Sequence, residues 1–430
     1  MQSQGLPGFR DFYPEEAALR NHIFEAWRDV AGRYGFQEYD GPPLEPLELY
    51  VKKSGEEIVG QLYTFEDRGG RAVAFRPEMT PTLARMVAAR ASALKKPIRW
   101  YSLPQLMRYE RPQRGRLREH FQLNMDIIGE PGPLADAELI AATLDIMRSL
   151  GLGPQDVRAR VSDRRVLRAL VDPHGMSEDD VAVAFQHIDK IEREPRDILV
   201  EKLSSAARVP ESTAEQILSC GDIKGMDNVL AAAQGVKGGR EAAEPLEECV
   251  SALRALGMGD FLEVDLGIVR GLAYYTGIVF ELFDAGKSLR AICGGGRYDG
   301  LLAALGGSDL PAAGFGMGDV VLGELLLDKG LGPTAATGID AFLVAVTGED
   351  VPHVLRLAGV LREKGIKVEY ALKKQSIAKQ LKLAASRPAK RAVIVGPDER
   401  AQNVAVVRDL KAGVEETVGL EALVSEYVWS

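Results

Sequence analysis

Five arginines and no lysine fall between residues 108 and 118 of the stretch MRYERPQRGRLREHFQLNMDIIG, opposed by the single acid Glu110. Arg108, Arg111, Arg114, Arg116 and Arg118 flank Pro112 and Gly115, which predict the tip of a hairpin. A solvated charged hairpin has no reason to prefer arginine. A phosphate-handling loop does, because the guanidinium fork meets phosphate oxygens two at a time. The returning run FQLNMD puts Gln122, Asn124 and Asp126 on one face by the period of two of a strand. The expectation is an arginine loop leading into a polar pocket.

Three further stretches carry candidate chemistry. In FRPEMTPTLAR, Glu78 and Thr80 stand between an apolar strand and a helix start. Thr80 suits an N-terminal cap as well as a ligand contact, whereas a carboxylate at Glu78 is placed to hold a substrate ammonium. In VRGLAYYTGIVFE, Arg270 and Gly271 come just before Tyr274 and Tyr275, ahead of a half that alternates like a buried strand. In CGGGRYDGLLAALGG, the three glycines make either a tight turn or a place where a ligand approaches the backbone, and the apolar helix after them would aim its amide dipoles at an anion. There is no GxxxxGK, which disfavours a P-loop kinase or ATPase, and GFGMGD has no βαβ unit around it to support dinucleotide binding. A second basic patch lies further on. From Arg362 to Arg391, ten Lys or Arg face only Glu363 and Glu369, which suits the backbone of a folded RNA, with Lys373, Lys374, Lys379 and Lys382 as the candidate contacts. A solvated helix face is the plainer alternative.

These stretches need elements to position them. Residues 15 to 34 predict an amphipathic helix after Pro14. Strand-like runs RAVAFRP, IRWYSLP and FQLNMDIIG surround one helix from about 81 to 94, and ADAELIAATLDIMRSLG closes as a helix before Gly151. Strands and helices that segregate in this way indicate an α+β domain on an antiparallel sheet. Residues 165 to 258 read as a helical insertion, after which strand signals resume at FLEVDLG. A GLGPTAATG linker then leads to AFLVAV, KVEYAL, IAKQLKLAASR, AVIVG and NVAVVRDL, the pattern of a small α/β domain.

With 430 residues, 46% hydrophobic and 27% charged, the chain can bury two or three cores. No run reaches the roughly 18 to 20 apolar residues of a membrane span, and the first residues lack a leader pattern, so the expected setting is the cytoplasm without membrane contact. Cys220, Cys249 and Cys293 form no CxxC pair and the five histidines show no HExxH spacing, so no protein-held metal is expected. A net charge of -9 argues against blanket nucleic-acid binding and leaves recognition to local patches.

Taken in order, GFRDFYPEE, PLELYVKKSGEE, RPEMT, the arginine hairpin, VRGLAYYTG, GGGRYDGLL and GFGMGDVVL resemble the histidyl-tRNA synthetase family of class II aminoacyl-tRNA synthetases along essentially the whole chain. The resemblance implies an α+β class II catalytic domain over residues 1–330, an antiparallel sheet flanked by helices and interrupted by the helical insertion at 165–258, followed by an α/β anticodon-binding domain over 339–430. It implies a homodimer, with GPPLEPLELY contributing to the interface. It also implies ATP-dependent activation of L-histidine, with Mg2+ accompanying ATP, and transfer to tRNA(His).

Carried over residue by residue, Arg108 and Arg270 correspond to the catalytic arginines beside the α-phosphate, which also contact the histidine substrate, and Arg116 to the one reaching the outer phosphates. Glu78, Met79 and Thr80 correspond to the positions around the substrate ammonium, with Gln122 and Asp126 completing that pocket. Tyr274, Tyr275 and Tyr298 correspond to those enclosing the imidazole. Three departures stand out. Asp126 occupies a position where glutamate is expected, Ala273 follows RGL where aspartate is commonest, and the expected motif 3 arginine is missing from GFGMGDVVLGELL. An active synthetase of a divergent subgroup fits this pattern. So do a non-catalytic histidine-sensing paralogue of the type of the ATP phosphoribosyltransferase regulatory subunit and a tRNA-sensing synthetase-like protein. The complete arginine hairpin and the added C-terminal domain favour the first.

Overall fold

The structure is a computed structural model that describes residues 5–51, 60–270, 274–286, 288–333 and 338–429. Two compact units divide after Gly332. The first opens with α1 (Pro14–Arg33), where Pro14 occupies a first-turn position that needs no N–H partner and Glu15 and Glu16 complement the positive helix end. Strands β1 (Gln37–Glu38), β2 (Leu44–Pro46), β3 (Thr64–Glu66) and β4 (Ala72–Phe75) follow, with β2, β4 and β3 forming a small antiparallel sheet. Next come α2 (Thr80–Arg90), β5 (Ile98–Ser102), β6 (Gln105–Met107), β7 (Glu119–Ile128), α3 (Pro133–Ser149) and β8 (Val157–Asp163).

The insertion between β8 and the next strand is helical: α4 (Arg164–Val171), α5 (Glu178–Ile188), α6 (Arg196–Ala207), α7 (Glu211–Cys220), α8 (Met226–Gln234) and α9 (Gly239–Ala255). The chain then returns through β9 (Leu262–Val264), β10 (Ile278–Asp284), β11 (Cys293–Arg297), the short α10 (Leu301–Ala304), β12 (Ala312–Gly318) and α11 (Asp319–Asp328).

The large sheet has the order β1-β5-β7-β12-β11-β10-β8-β9, with β6 pairing to β7. Its pairings are antiparallel except at the two edges, β1 with β5 and β8 with β9. Alternation assigns its two faces different work. Leu123, Met125 and Ile127 of β7, Phe280 and Leu282 of β10, and Phe315 and Met317 of β12 are buried in one core with Leu139, Ile140 and Leu144 of α3. The opposite face carries the candidate site.

Within VRGLAYYTGIVFE, β10 begins at Ile278, in the half expected to alternate as a strand. Arg270, Tyr274 and Tyr275 lie in the segment before it, and Gly271 and Ala273 fall outside the described residues. The triple glycine forms neither a turn nor a helix-bound anion loop. It is the middle of β11, a central strand, and the helix after it has only four residues.

In the second unit, β13 (Ala341–Ala345), α12 (Val351–Glu363), β14 (Val368–Tyr370), α13 (Ile377–Ser386), β15 (Arg391–Val395), α14 (Pro397–Gln402), β16 (Val404–Asp409), β17 (Glu415–Gly419) and α15 (Leu420–Ser425) form a sheet of order β14-β13-β15-β16-β17. The last strand and helix have no counterpart in the sequence reading. Among the described residues no helix is long and apolar enough to cross a membrane.

Candidate active site

Glycines give the functional face of the large sheet its shape. Gly314 and Gly316 of β12 stand opposite Asp126 and Asn124 of β7, and Gly294 and Gly296 of β11 stand opposite Gly316 and Gly314. The polar arms of neighbouring elements lie down on this bare floor. A Cβ on Gly314 would collide with the Asp126 carboxylate, one on Gly294 would collide with the Arg270 guanidinium, and one on Gly316 would stand 2.6 Å from Gln122 Nε2. Glu281 of β10 lies directly opposite Gly294 and accepts a hydrogen bond of 2.8 Å from Arg270 Nη1. Arg270 holds this place with φ of +56°, a left-handed conformation that costs a non-glycine residue of order 1–3 kcal/mol and clusters at functional positions.

Two cavities meet there. The smaller, of about 110 Å³, is lined by Glu78, Thr80, Gln122, Asn124 and Asp126 on its polar side and by Tyr274, Tyr275 and Tyr298 on its aromatic side. The larger, of about 1200 Å³, opens toward the insertion. Arg108, Gln122, Arg270, Gly294 and Gly316 belong to both linings and form the neck between them. Arg108 is held by the backbone of the RPEMT segment, its Nε donating to Pro77 O at 2.9 Å.

In the small cavity the Tyr298 hydroxyl donates to Asp126 Oδ1, and burial followed by the Asp126 charge pushes the phenol well above its ordinary range. Tyr274 packs 4.8 Å from Tyr275 and nearly perpendicular to Tyr298 at 6.2 Å, and burial raises its hydroxyl as well. These rings stay neutral and present protonated hydroxyls beside two carboxylate side chains. A small cationic or hydrogen-bonding ligand suits such a lining.

Of the five hairpin arginines only Arg108 and Arg116 line the large cleft. Arg116 is paired with Glu110. Arg114 reaches Glu324 at 3.1 Å and Asp328 at 3.4 Å on α11, and Arg118 lies over the Tyr109 ring at 4.3 Å. The tip itself is a tight turn in which Gln113 and Arg116 exchange two backbone hydrogen bonds of 2.9 Å, with Gly115 at φ +71°. Met79 does not line the site. Its side chain is only 1% exposed and packs with Tyr39, Leu83 and Val87, so it anchors the residues on either side of it. Thr80 is the first residue inside α2 rather than its cap, a position held by Met79, and it lines the small cavity.

Sequence reasoning missed Glu281, taking IVFE as an ordinary buried strand, and left Asn124 out of the set although its spacing from Gln122 and Asp126 marked it. It also missed Arg10, whose guanidinium ties Glu119 of β7 at 2.7 Å to Asp319 of α11 at 2.9 Å. Asp319 stands at the start of the helix where the resemblance expects arginine. It also accepts from the Phe121 N–H at 2.9 Å, while Val320 and Val321 line the large cleft.

His120, on β7 and in the wall of the large cleft, is driven down to about 3 by burial and then by the charges of Arg108 and Arg10. The folded protein therefore keeps this imidazole neutral. As pH falls from about 6.5 toward 3, the unfolded chain takes up a proton that the folded chain refuses, so stability drops by up to about 1.4 kcal/mol per pH unit from this group. His120→Gln is expected to unfold less steeply with acid over that window than the unaltered protein. Parallel pH dependences of the thermal midpoints would refute the assignment.

Residues 8–318 match the family model for histidyl-tRNA synthetase, and residues 340–428 match that of the anticodon binding domain. A histidine–tRNA ligase of Opitutus terrae is 46% identical over 97% of this chain and 96% of its own length. The chain belongs to the histidyl-tRNA synthetase family. Another relative, the chloroplastic/mitochondrial histidine–tRNA ligase of Arabidopsis thaliana, is 41% identical over 97% of this chain and 85% of its own. The crystal structure of histidyl-tRNA synthetase from Nostoc sp. PCC 7120 superposes with a TM-score of 0.86 at 26% identity, covering 99% of both chains. The fold is that of a histidyl-tRNA synthetase.

Proposed function

We propose that this chain is a histidine–tRNA ligase that activates L-histidine with ATP in the paired cavities and transfers it to the 3′ end of tRNA(His). The observation that carries the residue assignment is the shared neck. A small polar-aromatic chamber opens into a large arginine-lined one through Arg108 and Arg270.

Histidine occupies the small chamber. Glu78 and Thr80 receive its ammonium, Gln122 and Asp126 complete that side, and Tyr274, Tyr275 and Tyr298 enclose the imidazole. Its carboxylate points through the neck, where an oxygen attacks the α-phosphorus of ATP and pyrophosphate leaves. The carboxylate is already ionised, so no side-chain base is required. Alignment is required, together with fixed positive charge around the five-coordinate phosphorus, and Arg108 and Arg270 supply both. A ribose hydroxyl of the tRNA end then attacks the acyl carbon and AMP departs.

Mg2+ belongs to the ATP substrate. This ion keeps most of its waters and takes one or two carboxylates besides phosphate oxygens. Glu281, in the large cavity's lining, fits such a contact and is the residue that would hold it. The ion would offset charge on the outer phosphates, where Arg116 also acts after exchanging Glu110 for phosphate.

The reading as a histidine-sensing regulatory subunit is not favoured, since relatives more than 40% identical over 97% of the chain are named ligases. The missing motif 3 arginine and Ala273 mark a divergent working subgroup. Residues 1–330 act as the catalytic domain, 165–258 as the insertion and 339–430 as the anticodon domain, in a cytoplasmic homodimer. The deciding experiment is histidine-dependent ATP–pyrophosphate exchange followed by tRNA charging. Absence of exchange at saturating histidine sinks the proposal.

In the second unit, Arg387, Lys390 and Arg391 of the basic patch are engaged with Glu369, Asp340 and Asp409. Lys373, Lys374, Lys379 and Lys382 are exposed and, among the described residues, without an ion pair. Charge reversal at Lys379 and Lys382 should weaken tRNA charging about tenfold at low salt while pyrophosphate exchange is unchanged. Equal charging by the variant would take the anticodon contact away from this helix.

A further inference from the structure

Seven cations line the large cleft, and five are already paired: Arg116 with Glu110, Arg270 with Glu281, Arg160 and Lys224 with Asp265, and Arg193 with Asp189. The two without a carboxylate partner among the described residues are Arg108, at the neck, and Arg290. Arg290 is exposed and sits in the connection between β10 and β11, four residues before Gly294. Extended chain of that length covers at most about 14 Å, so the same wall runs from the neck to Arg290 within the reach of a nucleotide.

Its position bears on the missing arginine. A Cβ on Gly115, at the hairpin tip, would lie 3.7 Å from Arg290 Cδ and 3.3 Å from Val321 Cγ2. Arg290 and Val321 therefore flank the same glycine. The side chain that α11 lacks has a guanidinium beside it, delivered from the opposite hairpin.

We propose that Arg290 grips the pyrophosphate end of ATP, taking over the phosphate contact that α11 no longer provides. The inference rests on the ligase reading above. The paired cations already give part of their donor set to a carboxylate, whereas Arg290 gives none and can offer its full fork.

The test compares unaltered protein, Arg290→Ala and Arg290→Lys in ATP–pyrophosphate exchange, varying ATP, pyrophosphate and histidine in turn. Arg290→Ala should raise the KM for both ATP and pyrophosphate by about tenfold or more and leave the KM for histidine in place, with lysine recovering part of the loss. Unchanged values for ATP and pyrophosphate overturn the proposal. So does a rise for ATP alone, which would mean an adenine contact, or an equal rise for histidine, which would mean general damage to the site. If the unaltered protein shows no exchange, the ligase reading fails by itself. Calorimetric binding of inorganic pyrophosphate then decides the role of Arg290, which requires weaker binding in Arg290→Ala and is overturned by equal binding.

Discussion

Arg270→Ala should lower histidine-dependent ATP–pyrophosphate exchange by about two to three orders of magnitude, the usual cost of removing one preorganised donor from a developing charge. The loss should fall on turnover more than on the KM for histidine, because the small chamber keeps Glu78, Asp126 and its three tyrosines. The folded state should persist, since the Arg270 side chain lies on the glycine floor at the neck of the cavities, where solvent can fill the space it leaves, and pairs there with Glu281. Glu281→Gln separates two roles of that partner. It leaves a group that still accepts from Arg270 but removes the charge, and exchange should fall about tenfold, less than for Arg270→Ala. Near-normal exchange by Arg270→Ala, with circular dichroism showing a folded protein, would remove this residue from the mechanism.

Two adjacent glycines of β11 should fail in opposite ways. A methyl group at Gly295 meets Gly314 O, Phe315 Cβ at 2.5 Å and Phe315 Cα at 2.7 Å, all fixed in the middle of the sheet. Overpacking of that kind costs about 1–3 kcal/mol, and here the obstacle is backbone, so Gly295→Ala should lower the thermal midpoint by several degrees. At Gly294 the nearest atoms to an added methyl group belong to the far end of the Arg270 side chain, which can swing away. Gly294→Ala should therefore keep its thermal midpoint within a degree or two and lose exchange almost as severely as Arg270→Ala. Differential scanning calorimetry beside the exchange assay reads both effects. Equal loss of stability in the two variants would contradict the account of the bare floor.

The parts of this site written in local periodicity were legible in the sequence. Gln122, Asn124 and Asp126 alternate with Leu123, Met125 and Ile127, and no tertiary information is needed to see that they share a face. The arginine hairpin was legible for a similar reason, since its turn residues and its charge occur together. What escaped depended on direction in space. Met79 lies between two site residues, yet the chain enters α2 there, and its side chain turns into the core while those of Glu78 and Thr80 face the cavity. Glu281 was read as part of a buried run because three apolar residues precede it, and only the pairing of β10 with β11 shows it facing Gly294. The triple glycine was ambiguous because composition cannot distinguish a turn from a strand whose face must stay empty. Arg10 escaped because its partners, Glu119 and Asp319, lie more than a hundred residues away. The helical insertion and most of the second unit followed from spacing alone, whereas β17, an exposed edge strand with two glutamates at its start, has no hydrophobic alternation to announce it.

The glycine floor also bears on how such a site can change its preference over evolutionary time. Three floor positions are occupied sideways by an arm from elsewhere: Gly314 by Asp126, Gly316 by Gln122 and Gly294 by Arg270. The heritable unit is therefore a pair, and neither member is free to drift alone. A larger residue on the floor is tolerated only after its arm has shortened, and a longer arm only while the floor stays bare. Single-site variation will make these positions look frozen, while paired libraries at 314 with 126 or 316 with 122 should recover folded chambers of new shape.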